Sequence, residues 1–147
     1  MRAENLLRIM PASSATNLIV LNRMPTPPPP PGIAGDKAAG AGSTIITSFR
    51  VFRFLPIRAQ WIARITEFEW NHYFADVQEQ GPFKRWHHRH EFRAETRGEV
   101  DGTLVRDMID YEVRSGFLGA TANALFVRRQ IERAFARRQQ TLPKLLA

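Results

Sequence analysis

Two hydrophobic periodicities divide the chain. Between Ser43 and Val113 apolar residues return at every second position, as in strands with one buried face. From Gly116 to Leu142 they return at threes and fours, as on one face of a helix. The strand region resolves into Thr44 to Leu55, with Ile45, Thr47, Phe49 and Val51 on one parity, ended by Pro56. Arg58 to Trp70 sets Trp61, Ala63 and Ile65 against Ile62, Arg64 and Phe68. His72 to Gln80 follows, closed by the turn pair Gly81-Pro82. In Phe83 to Arg93, Trp86, His88, His90 and Phe92 share one face, and Arg85, His87, Arg89, Glu91 and Arg93 share the other. Thr103 to Val113 carries Val105, Asp107, Ile109, Tyr111 and Val113 on its apolar parity. The helix presents Ala120, Ala124, Val127, Ile131, Ala134, Phe135 and Leu142 opposite Arg129, Arg133 and Arg137, and Pro143 is expected to end it. A single helix with one apolar stripe must lie on the sheet's apolar face.

Ahead of this block, Ala3 to Met10 predicts a short helix stopped by Pro11, and Asn17 to Leu21 a brief strand. The segment from Pro25 to Gly42 holds the five prolines Pro27 to Pro31 and then Gly32, Gly35, Gly40 and Gly42, a composition that predicts a long flexible loop. Its Pro25 to Pro31 part also has the character of a docking ligand for aromatic-groove domains. The expected architecture is thus one α+β domain spanning residues 1–147, a curved antiparallel sheet wrapped on a long C-terminal helix.

A length of 147 residues with 44% hydrophobic content suits one core without covalent staples. The absence of cysteine excludes disulfides and thiolate metal sites, and leads us to expect a cytoplasmic location. No apolar run approaches the roughly 20 residues of a membrane span. Lysine and arginine outnumber the acidic residues 21 to 14, a charge of +7 that would suit nucleic acid. The aromatics, however, have the wrong parity to interleave with Arg85, Arg89 and Arg93, and Arg128, Arg129, Arg133, Arg137 and Arg138 read as a solvated helix face, so no nucleic-acid partner is expected.

Candidate chemistry gathers on two neighbouring strands. Pairing around Gly98-Glu99 would set His90 opposite Asp107 and Trp86 opposite Tyr111, all facing inward. A carboxylate beside an imidazole fixes its tautomer, which suits a polar anchor first and a general base second, with His90 and Asp107 the catalytic candidates. His88 and His90 with a carboxylate also have the composition of a two-His-one-carboxylate metal site, weighed third, and neither metal nor cofactor is expected. His87 should face solvent. The rings Phe49, Trp61, Phe74, Trp86 and Tyr111 can line a pocket, and they can equally fill a core. Hydrolase elbows, phosphate loops, dinucleotide fingerprints and zinc-protease helices are absent, so no dedicated catalytic engine is visible.

Three segments carry a family likeness: Gly81-Pro82-Phe83 with Trp86, His88, His90 and Phe92; Gly102-Thr103-Leu104-Val105-Arg106-Asp107 with Tyr111-Glu112; and Leu125-Phe126-Val127-Arg128-Arg129. Together they resemble the SRPBCC superfamily, the START-related and polyketide-cyclase-like proteins of the birch-pollen-allergen fold, and in particular its small bacterial ligand-binding members. The resemblance implies a helix-grip fold whose cavity holds a hydrophobic or amphipathic small molecule. Val127 and Ile131 of the helix join the rings, His88, His90 and Asp107 as its expected lining. It also implies the alternative of a cyclase or dehydratase acting on a polyketide-like substrate. The chain departs from the family pattern by beginning with the segment Ala3 to Pro11, which a strand and a helix ordinarily precede. The first strand is therefore expected to be absent, leaving a sheet edge open to homo-oligomerisation.

Overall fold

The computed structural model describes residues 17–33, 38–50, 58–114 and 120–146. The expected helix at Ala3 to Met10, the end of the second strand and the start of the long helix lie outside these residues. Six strands form one antiparallel sheet: β1 (Asn17–Asn22), β2 (Thr44–Arg50), β3 (Arg58–Glu69), β4 (Tyr73–Gln80), β5 (Phe83–Arg97) and β6 (Val100–Val113). Each strand pairs with its neighbour in sequence, so β1 and β6 are the edges among the described residues. The helix α1 (Ala120–Leu146) follows, giving an α+β arrangement compatible with a helix grip.

The sheet curves, and its register slips at Leu18/Val20 in β1, at Ile62/Ala63 and Ile65/Glu67 in β3, and at Phe83/Arg85 in β5. Extra residues of this kind bend a strand and raise its twist. Turn chemistry sets the pairing between these slips. Gly98 adopts φ +63° between β5 and β6, and Asn71 adopts φ 61° between β3 and β4, left-handed values that glycine and asparagine tolerate best. With Gly98 at the turn, His90 stands opposite Asp107 and Trp86 opposite Tyr111, the pairing expected from the sequence.

The two faces of the sheet differ in chemistry. On the convex side Arg89 stacks 3.6 Å over the Tyr73 ring and pairs with Glu67 at 3.0 Å, Lys84 meets Glu112, Arg85 meets Asp110, and Arg64 meets Glu79. His87 lies on this face beside Glu67. Exposed pairs of this kind stabilise weakly, and their main effect is to keep this face wet. The concave side carries the apolar core, with Ile65, Phe83, Trp86 and the helix residue Leu142 all buried.

Two expectations change. Pro143 does not end α1, which runs on to Leu146. A proline so near the end forfeits one backbone bond, to the Gln139 carbonyl, while buried Leu142 holds the last turn on the sheet. Arg138 leaves the solvated basic face on which the sequence placed it and is buried, 8% exposed. The proline-rich segment is tied down at several described points. Trp70 Nε1 donates to the Pro27 carbonyl at 2.8 Å, the Gly40 N–H to the Met24 carbonyl at 3.0 Å, and the Met24 N–H to Ser43 Oγ at 2.9 Å. Among the described residues no helix is long and apolar enough to cross a membrane.

Candidate functional site

A line of rings runs along the concave face. Phe49 meets Trp61 edge-on, Trp61 meets Trp86 at 5.1 Å, and Trp86 meets His88 at 6.1 Å. His88 and His90 follow at 3.7 Å between centroids, and Phe74 stacks on His90 at 4.1 Å and 21°. Phe83 and Tyr111 flank the tryptophans, and Phe135 of α1 presses edge-on against His88 at 5.2 Å. The period of two along β5 produces this line, because Trp86, His88 and His90 all point to the side that α1 covers.

The line ends in a buried polar cluster. Asp107 Oδ1 receives both imidazoles, His88 Nε2 at 3.2 Å and His90 Nδ1 at 2.7 Å. Arg138 reaches in from α1, its Nε 3.1 Å from Asp107 Oδ2 in an ion pair that lacks the alignment of a hydrogen bond. On the opposite side Asp76 of β4 brings Oδ2 to 3.4 Å from His90 Nε2 and 3.8 Å from His88 Nδ1. His88 and His90 are 6% and 4% exposed, so these contacts form with little competition from water.

Burial by itself would raise the Asp107 carboxyl. The hydrogen bonds from His88 and His90 and the charge of Arg138 outweigh it and hold Asp107 well below the usual carboxylate range. Asp107 is therefore an ionised acceptor that carries no proton, so the facing nitrogens, His88 Nε2 and His90 Nδ1, are the donors. Arg138 Nη2 also lies 3.1 Å from His90 Nδ1, but that nitrogen cannot accept from a guanidinium while donating to a carboxylate. The shorter contact is the one to Asp107; in the other tautomer Nδ1 accepts from Arg138 and Nε2 donates to Asp76 Oδ2 at 3.4 Å. Burial is the largest influence on His88 and lowers its pKa despite the bond to Asp107, which favours a neutral ring.

The structure thus brings together Phe49, Trp61, Phe74, Trp86, His88, His90, Asp107 and Tyr111 of the residues singled out in the sequence. Val127 and Ile131 sit half-buried on α1, about three and two turns before Arg138. Sequence reasoning missed Asp76 and misassigned Arg138. The signal for Asp76 was the Gly81-Pro82 turn, since Asp76 and His88 lie directly opposite each other across it. An open depression of about 380 Å³ lies apart from this cluster, toward the β5–β6 turn, lined by Arg93, Ala94, Glu95, Thr96 and Leu104.

In comparisons with known proteins, no family model, no curated protein and no solved structure matches the chain.

Proposed function

We propose that the chain is an SRPBCC-like binding protein that takes an amphipathic small molecule between the concave sheet face and α1. The observation that carries this reading is the passage along one face from half-buried rings to a buried polar centre. Phe49, Trp61, Tyr111, Val127 and Ile131 keep part of their surface accessible, whereas His88, His90 and Arg138 at the far end are buried. Apolar area left uncovered beside a few convergent polar groups is the usual composition of a small-molecule site. A guest would gain roughly 25 cal/mol for each Å² of apolar surface it covers, before association costs.

Thermal melting against a panel of fatty acids, flat aromatic acids and neutral polycyclic compounds tests this. At least one compound should raise the midpoint and change tryptophan emission, and Trp61→Ala should lose the shift. A panel with no active member overturns the reading.

The 2.7 Å contact of His90 with Asp107 supports a second reading, a cyclase or dehydratase that moves protons on a polyketide-like substrate. Turnover of a bound compound, lost in His90→Gln, would separate catalysis from binding. The β6 edge, 14 residues long and without a partner strand among the described residues, also supports pairing between two copies. Sedimentation should then show a dimer at micromolar concentration, and a monomer throughout the accessible range removes this part of the proposal.

A further inference from the structure

Three side-chain atoms of the buried polar cluster converge: Asp76 Oδ2, His88 Nδ1 and His90 Nε2. His88 Nε2 and His90 Nδ1 spend their N–H groups on Asp107 Oδ1. The other ring nitrogens, His88 Nδ1 and His90 Nε2, both face Asp76 Oδ2, at 3.8 Å and at a hydrogen-bonding 3.4 Å. A proton on His90 would satisfy His90 alone, leaving His88 Nδ1 still opposed to a carboxylate oxygen. One cation between the three atoms satisfies all of them.

The spacing is that of a coordination shell. One ligand atom from each of Asp76, His88 and His90 lies within 4.8 Å of those of the other two. A tetrahedral ion with bonds of about 2.1 Å sets its ligand atoms roughly 3.4 Å apart, close to the two separations from Asp76 Oδ2. The far side of each ring supplies the second requirement. Imidazoles that bind metals ordinarily donate their other N–H to a carboxylate or carbonyl, which fixes the tautomer and aims the lone pair. Asp107 does this for both rings at once, and Arg138 balances its charge from α1.

We propose that Asp76 Oδ2, His88 Nδ1 and His90 Nε2 bind a divalent transition-metal ion of the zinc or iron(II) class, with Asp107 and Arg138 holding the imidazoles in binding orientation. Two nitrogens and one oxygen suit those ions better than magnesium or calcium, which prefer all-oxygen shells. Three protein ligands leave at least one coordination position for an exogenous group. The proposal does not depend on the binding of an apolar guest: a panel without an active compound leaves it standing.

The test uses the full chain stripped with a chelator and titrated with Co²⁺, then with Zn²⁺ in competition. One Co²⁺ per chain should bind with visible d–d absorption, and Zn²⁺ should displace it. His88→Gln and His90→Gln should abolish the signal, and Asp76→Asn should weaken binding at least about tenfold. His72→Gln and His87→Gln, which alter imidazoles outside the cluster, should leave it unchanged. X-ray absorption on the zinc-loaded wild-type chain should show two imidazoles in the first shell, a readout that stands even where a variant fails to fold by circular dichroism. The proposal is overturned by absence of uptake, by equal uptake in folded His88→Gln and His90→Gln, or by a shell with fewer than two imidazoles.

Discussion

Arg138→Met is expected to lower the melting midpoint by roughly 10 °C. Arg138 supplies the positive charge 3.1 Å from Asp107 Oδ2, and both side chains are largely shielded, 9% and 11% exposed. Methionine keeps the apolar stem against the sheet but leaves the carboxylate beside the two imidazoles without the guanidinium's charge. Removing one partner of a buried ion pair costs about 3–5 kcal/mol, because the other charge stays desolvated. For a chain of this size each kcal/mol is worth about 3 °C. The cycle with Asp107→Asn separates charge from packing. Asparagine keeps an acceptor for the imidazoles without a charge, so Arg138→Met on that background should cost less than half as much. Equal costs on both backgrounds would mean that the guanidinium contributes through its stem, not through its charge.

The second large effect is expected at Trp86. This ring is 8% exposed and touches Trp61 at 5.1 Å, Phe83 at 4.8 Å, Tyr111 at 6.2 Å and His88 at 6.1 Å. Among the described residues of the sheet, no other ring joins the tryptophan end to the imidazole end. Trp86→Ala should therefore cost about 3–5 kcal/mol in urea denaturation, the range found when a large buried ring is deleted and its neighbours relax only partly. Trp86→Phe keeps an aromatic edge for Trp61 and should cost less than half of that. Trp70 provides the contrast. Its indole lies beside Phe68 and donates one bond to the Pro27 carbonyl. Trp70→Ala should cost no more than about 1.5 kcal/mol, the net worth of one such bond. Similar losses at Trp70 and Trp86 would argue against a core organised around the concave face.

How far the sequence discloses this site differs residue by residue. His90 and Asp107 could be paired in advance because alternation is clean on both β5 and β6 and the Gly98 turn fixes their register. The strand holding Asp76 gave no such help: Tyr73, Phe74, Ala75 and Val77 put apolar groups on both parities, so neither face declares itself. Arg138 hid for another reason. It occupies the place between Phe135 and Leu142 where the helical stripe predicts an apolar residue, and its charge assigned it to the wet side instead. Strand lengths were underestimated on the same principle. β5 continues to Arg97 and β6 begins at Val100, through exposed residues such as Thr96 and Asp101. Backbone hydrogen bonds extend a hairpin without any burial that a hydrophobic pattern could register.

The sequential order of the strands bears on how the chain reaches this structure. Every β-pairing among the described residues joins segments that are consecutive along the chain, so the sheet can grow hairpin by hairpin with modest loop entropy lost at each step. The β5–β6 ribbon, with its tight turn, is the natural nucleus. The contact of Arg138 with Asp107 joins the helix to the paired β5–β6 ribbon and so needs both Asp107 and its neighbouring strand already in place. Docking of α1 is then a late event, and substitutions at Arg138 should accelerate unfolding while leaving the refolding rate nearly untouched.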